Sequence, residues 1–314
     1  MKAAVVERYG PPEVVEVREV PDPPVRGKGR VLVRVRAAAV TSADGRIRGA
    51  RFPRGFGTFA RLAFGVRRPR RAVLGGVFSG VVEEVGPGVS GIAVGDEVCG
   101  MTGVRFGTHA ELVVARADRL VVKPAGVSHQ DAAGVLFGGT TALHYLRDRV
   151  RPGHRVLVNG ASGAIGTSAV QLARLAGGRV TGVCSGANAD LVRSLGAEEV
   201  VDHTTTPLAS LPGSYDVVLD TVGNIDIAGG RALLAPGGVL LLAVADLGQT
   251  LRARGDVVAG PSPEKPEYFA RLLDLVASGD LRVVVSRTMP LDDVAEAHRV
   301  VDTGRKVGNV VVTP

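Results

Sequence analysis

"VLVNGASGAIGTSAVQLAR", Val156 to Arg174, decides the fold. A short aliphatic run breaks into small residues, with Gly160, Gly163 and Gly166 spaced by threes, and then continues as a helix. A strand, a tight turn and a helix start let backbone N–H groups approach a pyrophosphate, with the positive end of the helix dipole behind them. The plainer alternative is a tight turn between packed elements.

The neighbouring sequence favours the phosphate. "HRVLVNG", a helix from Ala164 to about Ala176, "RVTGVC", a helix "NADLVRSLG", "EEVVDH", "YDVVLDTVG", a helix near "GGRALLA" and "GVLLLAVAD" follow one another. Strands aliphatic on both faces and joined by helices predict a doubly wound parallel sheet, an α/β fold with ligand at the carboxyl ends of its strands. Such a context is what makes a glycine run informative. Read strictly, the run is Ala161, Ser162, Gly163, Ala164, Ile165 and Gly166, with Ala161 in place of the first glycine.

The first 120 or so residues read as a barrel-like β domain. "RVLVRVRAAAV" alternates Val33 and Val35 with Arg34 and Arg36, and "FSGVVEEVGPGVSGIAVGDEV" reads as two strands split by Gly86, Pro87 and Gly88. After Lys123-Pro124, Ser128 and Asp131 resemble a capping box before an apolar helical stretch that Gly138-Gly139 interrupts. Beyond the parallel sheet come a helix "PEYFARLLDLVASG", a strand "LRVVVS" and a β-like tail "GRKVGNVVVTP". The tail returns to complete the first domain, giving 1–122 with 281–314 as one domain and 123–280 as the other.

A chain of 314 residues has room for two domains. No apolar run approaches the roughly 18 residues of a membrane span, so none is expected. Charges and prolines in "MKAAVVERYGPPEVVEV" stand where a signal peptide would be apolar, and a cytoplasmic location is expected. Cys99 and Cys184 are the only cysteines and read as small buried hydrophobes. A net charge of +7 suits an anionic partner, yet only five of 38 basic residues are lysines and most arginines alternate with acids. Between Arg46 and Arg71 stand nine arginines and no acid, interleaved with Phe52, Phe56, Phe59 and Phe64. They read as a solvated flap, or as an electropositive lid over an anionic cofactor or substrate. No nucleic-acid partner is expected.

An NAD site places Asp or Glu about 20 residues after the glycine run, where it binds the ribose 2′-hydroxyl. Here "GVCSGANAD" puts Ser185 and Gly186 at the strand end. With no carboxylate to repel a 2′-phosphate, NADPH is the expected cofactor, contacted by Ser185, Gly186 and Asn188. Arg193 on the following helix is placed to substitute for the usual basic residue, and Asp190 fits a helix first turn.

"FGGTTALHYL", "VRPGHRVLVNGASGAIGTSAVQLAR", "DVVLDTVG", "AAAVTSADGRIRG", "LGGVFSGVVEEVGPGV" and "GDEVCG" resemble the medium-chain dehydrogenase/reductase superfamily, in particular its zinc-free quinone oxidoreductase branch. The resemblance runs through "AEAHRVVDTGRKVGNVVV" and so spans essentially the whole chain. It implies a GroES-like β-barrel-type catalytic domain, a Rossmann domain, NADPH in the cleft between them and a homodimer. Zinc-dependent members carry a cysteine where this chain has Thr41-Ser42, and a His-Glu pair where it has Gly76-Val77. Without a Lewis acid, hydride transfer to a quinone or an α,β-unsaturated ketone is easier than alcohol oxidation, because the product charge is delocalised.

The branch's Asn-x-x-Asp arrangement reads Thr41-Ser42-Ala43-Asp44 here, making Thr41 and Asp44 the candidate catalytic pair and Thr41 a single hydrogen-bond donor. By the same resemblance Thr140, opening a helix after Gly138-Gly139, reaches the cofactor, while Lys306, Gly308 and Asn309 close over it. Thr221, Val222 and Gly223 finish one strand at its ligand-facing end, and Ala243 and Val244 finish another, so both groups border the cofactor. No histidine has a carboxylate at a motif spacing. Two alternatives stay open: a ketone or biosynthetic enoyl reductase, and a non-catalytic NADPH-binding protein that holds RNA or a protein partner.

Overall fold

A computed structural model describes residues 1–314. In chain order the strands are β1 (Lys2–Val6), β2 (Val15–Glu19), β3 (Arg30–Val40), β4 (Val77–Val85), β5 (Glu97–Met101), β6 (Leu112–Arg116), β7 (Leu120–Val122), β8 (Arg155–Asn159), β9 (Arg179–Cys184), β10 (Glu199–Asp202), β11 (Tyr215–Asp220), β12 (Leu234–Leu242), β13 (Val257–Ala259), β14 (Val285–Pro290) and β15 (Asn309–Thr313). The helices are α1 (Ser42–Arg48), α2 (Gly57–Phe64), α3 (His129–Leu146), α4 (Ala164–Leu175), α5 (Ala189–Ser194), α6 (Ile227–Ala232), α7 (Leu247–Arg252), α8 (Pro266–Ala277) and α9 (Val294–Asp302).

β8 to β13 form a parallel six-stranded sheet in the order β10-β9-β8-β11-β12-β13. Its order reverses between β8 and β11, the crevice where doubly wound folds bind ligand. The strands are aliphatic on both faces because helices cover both: Val156, Leu157 and Val158 of β8 are all fully buried. α3, α4 and α8 bury the face carrying Val156 and Val158, and Leu157 belongs to the opposite cluster with Tyr215, Leu240 and Leu242. Each such aliphatic side chain contributes about 1.5–3 kcal/mol by leaving water.

The second sheet follows the order β14-β15-β3-β4-β5-β7, with β6 also paired to β3. β15 lies antiparallel to β3, with Val310 opposite Val40, so the chain's tail joins a sheet begun near its start. No helix is long and apolar enough to cross a membrane.

Three expectations are corrected. The run after Gly86-Pro87-Gly88 is a loop, and the next strand starts only at Glu97. Gly88, Gly91 and Gly95 turn it through positive φ, and Asp96 accepts the Ala93 N–H at 2.8 Å. α3 runs unbroken through Gly138-Gly139, because those glycines make room for α4 and for Leu272 rather than ending the helix. The strand expected from Leu281 starts at Val285, since Gln171 accepts the Arg282 N–H at 2.8 Å and holds that backbone away from pairing.

Candidate active site

β8 ends at Asn159, and the chain turns on Gly160 at φ 80° before α4. The Gly160 and Ala161 N–H groups both donate to the Val183 carbonyl, drawing the turn over β9. A Cβ on Gly166 would stand 2.1 Å from the Gly160 carbonyl oxygen, and one on Gly160 would stand 2.5 Å from Thr221 Oγ1. Both positions therefore require glycine. Gly163 is the N-cap of α4 and offers no side-chain acceptor, so no side chain caps the first-turn N–H groups, the position at which a helix start can receive an anion.

α3 crosses this turn closely: a Cβ on Gly138 would lie 2.1 Å from the Ala164 carbonyl oxygen. Thr140 was expected to open a helix; it lies in the middle of α3 instead. Its hydroxyl is buried without a hydrogen-bond partner. From the other sheet, Gly308 donates its N–H to the Ser162 carbonyl at 2.8 Å and forms a parallel bridge with Gly163. The Lys306 ammonium donates to the Gly308 carbonyl at 2.6 Å, and burial brings its pKa down to about 8. The next residue, Asn309, opens β15, and its amide donates to the Val284 carbonyl at 3.1 Å.

Ser162, Ser185 and Asn188 meet at the end of β9: the Asn188 amide donates to Ser185 Oγ at 3.1 Å and to Ser162 Oγ at 3.3 Å. The corner was expected to be free of carboxylate, and here the structure corrects the sequence. Asp202 arrives from the end of β10, its Oδ2 only 2.5 Å from where a Cβ on Gly186 would sit. Hydrogen bonds from Thr204 and from the Gly186 N–H hold this half-buried carboxylate below its usual range. Arg193 instead pairs with Asp190 at 3.0 Å on its own helix.

Sequence reasoning also missed the residue that shapes the β11 exit. Asp220, fully buried, accepts from Asn159 Nδ2 at 2.8 Å and from the N–H groups of Val222, Gly223 and Ile225. These bonds curl Thr221, Val222 and Gly223 back beside Gly160, and the Thr221 hydroxyl donates to the Asn159 carbonyl at 2.7 Å. The Ala243 N–H donates to the Asp220 carbonyl, which sets Val244 against Gly223. An Asp-Thr at a strand end was the available signal, since such a carboxylate folds the following N–H groups around itself.

Across the cleft, Thr41 caps α1 and Asp44 accepts its N–H at 2.8 Å and its hydroxyl at 2.6 Å, both through Oδ2. Asp44 Oδ1 accepts the Gly75 N–H at 3.1 Å. Thr41 was expected to donate a hydrogen bond to substrate, but its one hydroxyl hydrogen is committed to Asp44. The pair is buried and fixes the α1 entry against the loop before β4.

The arginine-rich segment divides. Arg46, Arg51 and Arg54 line a cavity of about 430 Å³ with Gly223, Asn224 and Val244 at the ends of β11 and β12. Arg61 lies instead over the Tyr9 ring, and Arg70 donates to the Leu62 carbonyl. The fold also gives His129 a carboxylate partner, Glu97 at 3.1 Å, with Ser79 on its other nitrogen. Ser79 is fully buried and donates to the Val98 carbonyl, so this trio ties β4, β5 and α3 together and offers no nucleophile. No three His, Cys, Asp or Glu side chains stand close enough to hold a metal ion.

Two family models match the chain: an alcohol dehydrogenase GroES-like domain over residues 27–125 and a zinc-binding dehydrogenase over residues 195–312. A quinone oxidoreductase of Pseudomonas aeruginosa is 31% identical over 98% of this chain and 97% of its own length. An NADPH-dependent alkenal/one oxidoreductase of Arabidopsis thaliana chloroplasts is 29% identical over 100% of this chain and 80% of its own. The solved structure of a quinone oxidoreductase from Coxiella burnetii superposes with a TM-score of 0.90 at 28% identity, covering 100% of this chain and 99% of that one.

Proposed function

The chain belongs to the medium-chain dehydrogenase/reductase superfamily, in its quinone oxidoreductase branch, and from that premise we propose an NADPH-dependent reductase of quinones or α,β-unsaturated ketones that works without a metal. The observation that carries the cofactor half is the turn at Gly160 to Gly166, where the chain packs so tightly on itself that Gly160 and Gly166 have no room for a Cβ, and where the α4 N-terminus is uncapped by any side chain. The orphaned Thr140 hydroxyl and the unpaired Lys306 ammonium fit the same group. Bound there, NADPH supplies a hydride from its nicotinamide.

In this reading the α4 N–H groups and Lys306 hold the diphosphate, and Ser162, Ser185 and Asn188 face the adenosine 2′-phosphate, with the Asp202 carboxylate beside Gly186 the one charge that opposes it. Asp220 orients the Thr221–Gly223 bend that borders the nicotinamide. Asp44 and Thr41 are positioning residues, since neither has a free proton to give, and solvent in the cleft protonates the reduced acceptor. The metal-free part rests on the side chains present: Thr41-Ser42 and Gly76-Val77 supply no soft ligand, and no ligand cluster stands elsewhere.

Titration calorimetry with NADPH and NADH, followed by NADPH oxidation against a panel of quinones and enones, tests the proposal. Absence of heat with either nucleotide overturns it. Stoichiometric zinc whose chelation abolishes turnover overturns the metal-free part alone.

A further inference from the structure

We propose that the cavity lined by Arg46, Arg51 and Arg54 is an anion subsite, and that the acceptor reduced here carries a carboxylate. The identity of this ligand rests on the reductase reading. Arg46 lies on α1, two residues beyond Asp44, with its guanidinium half-buried. No acidic side chain pairs with it, and burial alone pushes its pKa down. Of the other charges in the cavity, Arg51 is ion-paired, and the carboxylates Asp226 and Asp246 each accept one N–H at a helix start. Arg51 pairs with Asp302 at 2.5 Å, and Asp302 also takes Arg48. Asp226 accepts the Gly229 N–H at 2.6 Å at the start of α6, and Asp246 accepts the Gln249 N–H at 2.7 Å at the start of α7. Arg54 forms no ion pair, and its backbone carbonyl accepts the Leu247 N–H at 3.0 Å, which docks the segment on the β12 side.

A half-buried guanidinium with no acidic partner, open to the cavity, is suited to a bidentate carboxylate. The cofactor's own phosphates are the other possible anion. The diphosphate turn follows β8; the cavity begins beside it at Gly223 and Asn224 after β11, the adjacent strand, and extends to the end of β12, two strands or about 10 Å from β8. The three arginines stand on the wall opposite that turn, so the anion is assigned to the acceptor, and the NADPH affinity of the Arg46 variant tests the cofactor's phosphates against it.

Levulinate and methyl levulinate differ by one charge and cannot be reduced as enones. Titrated into the NADPH-loaded protein, levulinate binds at least tenfold tighter than its ester, and Arg46→Gln removes that preference while Arg46→Lys retains part of it. Equal affinities in the unmodified protein overturn the proposal. So does an Arg46→Gln variant that keeps the preference, or one that weakens NADPH itself and leaves the preference intact. NADPH oxidation by acetylacrylate and its methyl ester, run in parallel, separates the two readings. Preferential binding of the acid without turnover sustains the subsite and removes the reductase; turnover of both acceptors without a charge preference does the reverse.

Discussion

Replacing Asp44 by Asn separates a positioning carboxylate from a catalytic one. The carboxylate accepts two hydrogens from Thr41 and one from Gly75, and it is buried. An amide has one acceptor oxygen: turned toward Thr41, it presents NH2 to the Gly75 N–H and leaves that donor unsatisfied. The remaining bonds lose their charge assistance. Losing one charge-assisted bond and stranding one buried donor costs about 2–4 kcal/mol. For a domain of this size that lowers the melting temperature by roughly 5–10 °C. Turnover falls in parallel because the Thr41 to Gly75 loop loosens, while the pH dependence of kcat keeps its shape. Differential scanning calorimetry and a pH–rate profile read both. A variant that melts within about 1 °C of the unmodified protein yet loses a hundredfold or more in kcat would refute the positioning role, because only direct participation in the reaction gives that pattern.

Gly166→Ala drives a methyl into the Gly160 carbonyl and should weaken NADPH at least tenfold by titration, with far-ultraviolet circular dichroism unchanged. Asp202→Asn removes the carboxylate beside Gly186 and should raise the ratio of NADPH to NADH affinity several-fold; an unchanged ratio places the 2′-phosphate elsewhere. Because Lys306 is brought down to about 8, an anion beside it restores the proton, so NADPH binding at pH 8.5 should take up protons and weaken as pH rises further. Lys306→Met should abolish the uptake, measured by calorimetry in buffers of different ionisation enthalpy. His298 is buried against His109 and Arg48 without a hydrogen bond, and burial holds its pKa well below 6.5. The unfolded chain takes up that proton first, so stability is full above pH 6.5 and falls by about 1.4 kcal/mol per unit below it, until the depressed folded value is reached. Urea unfolding from pH 7.5 to 5.5 should show that slope, and His298→Gln should reduce it.

The parallel sheet was legible because buried strands must be aliphatic on both faces, and "RVLVN" and "RVTGVC" are. The glycine turn was legible because close backbone approach excludes every other residue at Gly160 and Gly166. What escaped the sequence depends on partners distant in the chain. Glu97 and His129 are 32 residues apart and meet only because β5 packs against α3. Asp202 reaches Gly186 because β10 pairs with β9 in a register that sets it opposite Cys184. Gly138-Gly139 has the look of a helix end, yet its smallness serves interhelical packing, a choice that local propensity does not make. Thr41 and Asp44 carry a capping pattern whose geometry, once built, uses the hydroxyl that substrate binding would need.

The two walls of the cleft are joined by backbone as well as by packing. The Gly308 N–H meets the Ser162 carbonyl inside the glycine turn, and one residue later β15 begins. β15 pairs with the last residues of β3, Val310 opposite Val40, and Thr41 with its Asp44 contact follows directly. Gly308 permits this route only as glycine: at φ 52° a Cβ would stand 2.2 Å from the Val284 carbonyl oxygen. A diphosphate seated on the turn therefore lies within one hydrogen bond of a strand that ends at the opposite wall. Lys306, two residues before Gly308, stands on the same segment. If a dinucleotide seats on the turn, its affinity should respond to substitutions in β15 as well as in the turn itself, because Gly308, β15 and the end of β3 form one continuous hydrogen-bonded path from Ser162 to Thr41.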